Sequence, residues 1–467
     1  MTVGKMKRNI IGLFVTFAVT VCFAASSYAQ SLNSSYFLEG SFTRHEINPA
    51  FAPDRDYFTL PALGGYYFGA QSTVGASDFI FDSKSYPGKL TTFMSRDVDR
   101  QSFLGSLPSD SRVNSAFSVD VLSFGFRTRG GYAFLGLKIR GGETVSIPKE
   151  MFEFMKSGLS TGTYSVSDAV VSAISYADLE FGESRRFGDN LKLGAKIHML
   201  AGIAYGDVKI NSLQARLDGE QWRVRLDAES NVGLNGLTFQ QKSDGTVDVE
   251  NPDYKFNGLS GWGLAFDLGA EYDMSDIVDG LRLSASVTDL GFLRWGKGHR
   301  YTNNPEKEFL FDGFHDVEDD QDLEDQCDQL SEDLQALADF YDKGEDALSA
   351  GPAATVRFGA EYALPGVQWL SAGELITLRT GLWHSFESRT SVNMAPTGWF
   401  DASLNVAFST FGTTMGWMLD FHPRGFNFFI GSDGLRIKLS KDRIPMEATS
   451  ADVQFGVRIP IGMPKNI

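Results

Sequence analysis

The chain has 467 residues, of which 42% are hydrophobic and 13% aromatic, with a formal net charge of −17 and two cysteines. So acidic a chain is not attracted to phosphate backbones, which excludes nucleic acid as a partner. Cys22 lies in the apolar leader, so Cys327 would be the only cysteine after processing, and no intramolecular disulfide is expected.

The beginning of the chain has the pattern of a secretory signal peptide. Basic residues precede an apolar stretch over 10–25, and Ser27 and Ala29 occupy the two positions that signal peptidase reads. Cleavage is predicted between Ala29 and Gln30, so the signal peptide spans 1–29. An uncleaved anchor is not expected, because the apolar stretch is shorter than the ~20 residues of a spanning helix.

Segments in which every second residue is apolar recur along the rest of the chain. In Gly263–Asp273, Leu264, Phe266 and Leu268 alternate with polar residues or glycine. This period of two indicates β-strands with one apolar and one polar face. About fourteen strands are predicted in this way: Gly65–Val74, Ala116–Arg127, Tyr132–Arg140, Ser175–Phe187, Leu191–Ala204, Gly263–Asp273, 281–290, 354–362, Ile376–Phe386, Ala402–Phe408, Met415–Phe421, Phe426–Ile430, Leu435–Leu439 and Val453–Ile461.

This pattern and the predicted export favour an all-β fold, an antiparallel transmembrane β-barrel over 65–461 in the bacterial outer membrane, surrounded by its lipid. A closed barrel satisfies every backbone hydrogen bond in lipid without helices. A secreted β-sandwich or propeller would also show alternation. We disfavour both because the chain has no Pro- or Ser-rich linker and no fixed-period repeat.

Most of the negative charge lies in one insert, predicted as an acidic extracellular loop over 291–352. Between Glu306 and Asp346 there are seventeen acidic residues against two lysines. An amphipathic helix is predicted there because apolar residues recur at spacings of three and four. Its apolar face either binds a partner protein or packs on its own barrel, and we favour packing; the residues are Leu323, Cys327, Leu330, Leu334, Leu337 and Tyr341.

A second loop helix is predicted over Pro148–Met155. It carries four large apolar side chains, which either form the entry for a hydrophobic ligand or simply pack; these are Met151, Phe152, Phe154 and Met155.

Signals for catalysis or metal binding are weak. The stretch 158–162 matches the Gly-x-Ser-x-Gly nucleophile motif, but that motif requires a strand-to-helix turn in an α/β sheet. The six histidines show no metal-ligand spacing, and the acidic run at 316–322 lacks the glycine turn of a calcium loop. We therefore predict no enzyme activity, no cofactor and no metal.

Five short stretches carry a resemblance to a known family: Ser35–Gly40, Arg44–Pro53, Leu60–Gly64, Met418–Pro423 and Phe428–Asp433. They resemble an uncharacterised family of outer-membrane barrels that looks like a branch of the long-chain fatty-acid transporter superfamily. Members of that superfamily carry an Asn-Pro-Ala motif just before the first strand, and here Asn48-Pro49-Ala50 occupies that place.

The resemblance implies a fourteen-strand barrel with an N-terminal hatch over 30–64, and passage of a hydrophobic ligand through an opening in the wall. Three prolines and the lack of alternation fit an irregular hatch, in which Asn48 either caps the chain or forms an ordinary Asn-Pro turn.

The inward faces of the predicted strands depart from the resemblance because they are charged, whereas a lipid channel needs an apolar track. Two functions stay open: binding or passing a hydrophobic or amphipathic small molecule, and a plugged structural barrel whose acidic loops bind a partner protein. The charged inward residues are Lys192, Lys196, Asp267, Glu271, Arg282, Arg357, Glu361 and Arg458.

Overall fold

The structure is a computed structural model that describes residues 32–157, 161–218, 221–312, 320–381, 384–436 and 450–462. The predicted signal peptide, with its cleavage site at Ala29 and Gln30, lies outside the described residues.

The described chain is almost entirely β-structure. Three α-helices occur, all in connections between strands: α1 (Arg100–Ser106), α2 (Lys149–Ser157) and α3 (Asp320–Gln335). None of the described helices is both long enough and apolar enough to cross a membrane. The strands are β1 (Asp56–Phe58), β2 (Gly65–Ser72), β3 (Ile80–Asp82), β4 (Leu90–Thr92), β5 (Asp110–Arg127), β6 (Gly131–Pro148), β7 (Gly162–Phe187), β8 (Leu191–Leu217), β9 (Trp222–Gly233), β10 (Leu237–Gln241), β11 (Val247–Tyr254), β12 (Gly261–Asp273), β13 (Leu281–Thr302), β14 (Glu308–Phe311), β15 (Tyr341–Ser349), β16 (Thr355–Ala363), β17 (Leu370–Arg379), β18 (Ser385–Thr397), β19 (Phe400–Ser409), β20 (Gly412–Phe421), β21 (Asn427–Arg436) and β22 (Ser450–Ile461).

Antiparallel pairings close the main sheet into a ring. Starting from β2, each strand pairs with the next in the order β5, β6, β7, β8, β12, β13, β16, β17, β18, β19, β20, β21 and β22, and β22 pairs with β2 again. The short strand β1 lies beyond the end of β2, between β5 and β22. The all-β, antiparallel barrel architecture predicted from the alternation is therefore confirmed.

The wall of the ring is apolar outside and polar inside. On β12, Asp267 is 3% exposed whereas the next residue, Leu268, is 54% exposed, and Phe266 and Tyr272 are also exposed. Because strand side chains alternate, the exposed apolar set forms one face and the buried charged set the other. A soluble sandwich or propeller would bury the apolar face instead.

Two strands are much longer than a membrane requires. β7 and β8 pair over almost their whole length, from Gly162 opposite Leu217 to Phe187 opposite Leu191. At ~3.3 Å per residue they exceed by far the ~9–11 residues that cross a bilayer. Their far ends, with β9, β14 and β15, form a sheet that projects beyond the ring.

Several predicted strand boundaries are wrong. The predicted strands 175–187, 191–204 and 281–290 are each twelve or thirteen residues shorter than β7, β8 and β13. The predicted strand 376–386 contains the end of β17 and the start of β18, and residues 382 and 383 between them lie outside the described residues. Gly381, which follows β17, has a φ of +110°, a conformation that favours glycine. Conversely, the predicted strand 426–430 and the start of the predicted strand 435–439 belong to one strand, β21, whose register shifts between Gly431 and Leu435; residues 437–439 lie outside the described residues. This bulge interrupts the alternation without ending the strand.

The acidic insert is more ordered than the predicted loop over 291–352. β13 continues to Thr302 and β15 returns from Tyr341 to pair with it. The predicted helix is present as α3, followed by the 3₁₀ turn Ala336–Ala338.

Candidate functional site: the charged lumen

The N-terminal segment, defined here as residues 32–58, occupies the interior of the ring, which we call the lumen. Leu32, Tyr36, Phe42 and Ile47 are fully buried. Along its course the segment bonds to strands on all sides of the ring: Asn33 N–H donates to Asp433 (2.6 Å), the Tyr36 hydroxyl to Ser284 (3.1 Å), Gly40 N–H to Asp401 (2.8 Å) and the Ser184 hydroxyl to the carbonyl of Ala50 (3.0 Å). Because these hydrogen bonds run to strands in several directions, the segment lies inside the ring and is enclosed by its wall.

The predicted hatch motif is at the centre of this arrangement. The Asn48 side-chain amide donates to the carbonyl oxygens of Ala270 and Ala285, each at 3.3 Å, and its own oxygen accepts from the Ala50 N–H at 3.0 Å. Asn48 is fully buried. It thus closes a local turn, as the Asn-Pro interpretation expects, and also ties that turn to two wall strands.

A pair of glycines makes room for the motif. Gly194 on β8 lies directly opposite Gly269 on β12. A Cβ at Gly194 would be 2.1 Å from the Pro49 carbonyl oxygen, and one at Gly269 would be 2.0 Å from the Asn48 side-chain oxygen. Both distances are far below van der Waals contact, so the wall accepts this turn only because both positions lack a side chain.

A cluster of buried charges joins the segment to one side of the wall. Glu46 accepts from Arg458 at 2.6 Å and lies 3.4 Å from the Lys138 ammonium. The same two cations contact Asp120, at 3.4 and 3.9 Å, and Glu180 lies 3.5 Å from Lys138. Buried charges persist only when they are paired, so the segment and the wall complete each other electrostatically.

Among the titratable groups of the segment, Glu46 and His45 have pKa values shifted by this environment. Burial by itself would raise the pKa of Glu46, but the Lys138 and Arg458 cations outweigh it, so the pKa lies below its usual range and the carboxyl stays ionised. Burial holds the pKa of His45 well below its usual range. The His45 ring is therefore neutral at pH 7; it stacks on Phe134 with a centroid separation of 4.4 Å.

A second network of polar side chains, carried by the wall strands, crosses the lumen. His198 lies between Asp178 (2.9 Å from Nδ1) and Asp267 (3.1 Å from Nε2). Arg140 then bridges Asp178, at 3.1 Å, and Asp289, at 2.6 and 2.9 Å. Every carboxylate of this network has a cationic or histidine partner.

Between these groups lies a cavity of about 590 Å³, counted with the open space at its mouth. Its lining is mainly polar and includes Lys138, Arg140, His198, Arg357 and Arg379. It can take a polar molecule or the polar head of an amphiphile, because its charged walls disfavour a wholly apolar occupant.

Three of the four residues proposed as a ligand entry are packed in two separate clusters. Phe152 and Met155 pack with Phe93 and Phe103 in the outer connections. Phe154 packs instead in the cluster of Val224 and Phe309. Met151 is partly buried on the same helix, α2. Neither cluster contains a residue that lines the cavity.

Three of the four leucines proposed to bind a partner pack against the projecting sheet. Leu337 is 4% exposed and lies in a cluster with Ala215, Val224 and Phe309, against which Leu330 and Leu334 also pack. Leu323 lies on α3, but its side chain is outside the described part of the chain. The favoured interpretation of this face, packing on the protein's own strands, agrees with these contacts.

Several lumen residues were not identified from the sequence, namely Arg140, Asp178, Glu180 and Asp289. Their signal is the same alternation that identified Lys196 and Asp267, since each occupies an inward position of a wall strand. Asp289 has a φ of +61°, which alternation does not indicate. Among the described residues, no three His, Cys, Asp or Glu side chains are grouped to hold a metal ion.

Solved structures with a similar course of chain, at low sequence identity, include several transporters. The Ralstonia pickettii toluene transporter TbuX is 10% identical, with 91% of this chain and 99% of that chain covered and a TM-score of 0.39. A Pseudomonas aeruginosa FadL homologue is 12% identical, with 93% and 99% covered and a TM-score of 0.42. The Pseudomonas putida toluene transporter TodX is 9% identical, with 95% and 96% covered and a TM-score of 0.36.

No curated protein sequence matches the chain significantly. A family model does match, over residues 49–433, and it is described as a family of unknown function, DUF5723. The match begins within the Asn48-Pro49-Ala50 motif and ends within the late stretch that carried the resemblance. The chain therefore belongs to the DUF5723 family, and its recognition as a member of an uncharacterised family is confirmed.

Proposed function

We propose that this protein is a bacterial outer-membrane β-barrel that binds or passes an amphipathic small molecule through its lumen, without covalent chemistry. The wall is the closed cycle of strands, fourteen by the pairings that run from β2 to β22. Residues 1–29 are the signal peptide, 30–64 the hatch and 65–461 the barrel, with outer-membrane lipid around it.

The observation that carries this proposal is the polar cavity, open at its mouth, inside a ring whose outer face is apolar. An apolar outer belt suits lipid, because exposed apolar surface on this scale is unfavourable in water. The cavity offers charged and hydroxyl groups to a ligand head.

The hatch assignment rests on the contacts of the N-terminal segment. Irregular backbone is tolerated at membrane depth only where protein shields it from lipid. Residues 32–58 meet this condition through buried side chains such as Leu32 and Tyr36 and through the ion pairs of Glu46. A hatch held by this many polar bonds keeps the barrel closed to bulk solutes unless it shifts.

The test is mass spectrometry of lipids and small amphiphiles extracted from the protein after purification from native outer membrane. An unrelated outer-membrane barrel, purified identically, is the control. We expect one amphiphile class enriched over the control at a constant ratio to protein. An extract that matches the bulk lipid of the control contradicts ligand binding.

The plugged and polar lumen favours a second candidate, a structural barrel that binds a partner protein through its acidic outer insert. In α3, Asp325, Asp328, Glu332 and Asp333 are exposed. A basic partner surface would be complementary to them. Crosslinking in intact cells, with the protein lacking residues 320–335 as control, separates this candidate from the first.

A further inference from the structure

Two arginines of the lumen lack the acidic partner that the other buried cations have. Arg357 on β16 is 4% exposed, and Arg379 on β17 is partly buried. Both line the cavity. Among the described residues, no carboxylate oxygen lies within 4.0 Å of either guanidinium, whereas Lys138, Arg140, Lys196, Arg389 and Arg458 each have one.

The strand register makes the two arginines neighbours on adjacent strands. Arg357 lies opposite Thr377, and Arg379 lies opposite Thr355, so the arginines are diagonal neighbours on the inward face of one strand pair. Such neighbours are within reach of each other's long side chains. Two like charges at this separation repel, which a shared anion would relieve.

Only part of their hydrogen-bonding capacity is used. Arg357 donates from Nε to Asn33 at 3.0 Å and from Nη1 to Thr288 at 3.1 Å. Arg379 donates from Nε to Thr355 at 3.3 Å. Within the described chain, no protein acceptor is in hydrogen-bond range of the terminal nitrogens of Arg379 or of Nη2 of Arg357, and these nitrogens can reach the cavity. An arginine has five N–H donors in a planar fork that matches carboxylate and phosphate.

The acids on this side of the lumen are bound to other groups. Asp289 is held by Arg140 at 2.6 and 2.9 Å. Glu387 is held by Arg389 at 2.9 Å and by the Asn33 amide at 3.0 Å. Asp433 accepts from the backbone N–H groups of Asn33 and Ser34 at 2.6 and 2.7 Å. None of these three carboxylates can rotate toward Arg357 or Arg379 without losing these bonds. The positive charge of the two arginines is therefore not compensated by a directly bound carboxylate.

We propose that Arg357 and Arg379 form an oxyanion site in the cavity, which takes a phosphate or carboxylate group. This site adds to the proposed function, because it assigns an anionic head group to the amphipathic ligand. It rests on the proposed function only in taking the anion to be part of that ligand. A free anion from solution and the head group of an amphiphile share this chemistry.

The test is isothermal titration of the full-length processed protein in a nonionic maltoside detergent. Inorganic phosphate is one titrant and dodecyl phosphate the other. Binding of both identifies a general oxyanion site, and binding of dodecyl phosphate alone identifies a head-group site that also needs the tail. Absence of binding by both overturns the proposal, whatever lipids the native protein carries, so this result is separate from the lipid analysis above.

The variant Arg379→Gln removes one of the two guanidinium groups and leaves the other residues of the lumen unchanged. We expect it to weaken binding by about tenfold or more, the loss of charge-assisted hydrogen bonds. The control is Arg225→Gln on the projecting sheet, where Arg225 is exposed and pairs with Glu308 at 3.1 Å. Equal affinity in wild type and Arg379→Gln would overturn the assignment.

Thermal unfolding distinguishes a ligand site from a structural role. An uncompensated buried cation is unfavourable without its anion, so Arg379→Gln should unfold at the same or a higher temperature than wild type in phosphate-free buffer. Phosphate should raise the unfolding temperature of wild type and of Arg225→Gln but not of Arg379→Gln. A lowered temperature for Arg379→Gln in phosphate-free buffer would contradict the proposal.

Discussion

At the residue scale, the contact between Asn48 and the paired glycines shows how the wall accommodates the N-terminal segment. The turn formed by Asn48, Pro49 and Ala50 touches backbone where side chains would normally be, and its amide bonds to two wall carbonyls. Gly194 and Gly269 are therefore part of the binding surface for the segment, although they bring no functional group.

Replacing Gly269 with alanine should loosen the segment. The new methyl group would overlap the Asn48 side-chain oxygen at 2.0 Å and would also lie 3.0 Å from the Ala50 nitrogen. Because the Asn48 oxygen accepts from the Ala50 N–H, relief requires a shift of the turn. We expect destabilisation by about 1–3 kcal/mol, the range for overpacking. This destabilisation is measured as a shift of the denaturant midpoint of unfolding in detergent, and unfolding is monitored by tryptophan fluorescence.

Gly206→Ala on β8 is the matched control, because the nearest atom to its added Cβ is 4.0 Å away. Its midpoint should equal that of wild type. If Gly269→Ala unfolds at the same denaturant concentration as Gly206→Ala, the turn is not held against the wall as described.

Sequence reasoning identified which side chains face inward but not how they pair. Alternation alone placed Lys196, Asp267 and Arg458 in the lumen, and all three are buried. It could not show that Arg458 meets Glu46, because that contact joins positions 412 residues apart. Charge partners across a ring depend on strand order and tilt, which no local pattern records.

At the scale of elements, the strand errors came from turns and bulges rather than from the alternation itself. β17 and β18 are joined by a connection so short that alternation continues across it, whereas the bulge in β21 breaks alternation within one strand. In both places the backbone conformation at a few residues overrides the period-two signal.

The helix α3 and its following turn provide a test at this scale. Replacing Leu337 with alanine removes a buried side chain that packs on Ala215, Val224 and Phe309. Core Leu-to-Ala changes cost about 2–5 kcal/mol, so the insert should open locally much more often. We expect amide hydrogen exchange over 320–338 to quicken at least tenfold, measured by mass spectrometry, while exchange in the ring stays unchanged.

Glu332→Ala serves as the control because Glu332 is exposed on the same helix. Its exchange should match wild type. If amide hydrogen exchange over 320–338 in Leu337→Ala also equals that of wild type, the projecting sheet does not hold the apolar face of α3. That face would then be available to a partner protein.

At the scale of the whole molecule, the apolar outer face of the ring predicts where the membrane lies. Leu268 projects outward from β12 and is 54% exposed, whereas Ile277 lies in the connection between β12 and β13 and is 73% exposed. An arginine costs about 2–4 kcal/mol at the bilayer midplane and about 0–1 kcal/mol near the interface.

Leu268→Arg should therefore fold poorly into lipid vesicles, and Ile277→Arg should fold like wild type. The folded fraction is measured by the shifted mobility of unheated barrel on a denaturing gel. Equal folding of the two variants would contradict membrane insertion through this face.

The closing pairs of the ring join the two ends of the described chain. β1 and β2 both pair with β22, so the wall is complete only where the earliest and the last strands meet. β22 also carries Arg458, the cation that Glu46 of the N-terminal segment contacts at 2.6 Å. Loss of the last strand would therefore open the wall and, in the same step, leave a buried carboxylate of the segment without one of its two cations.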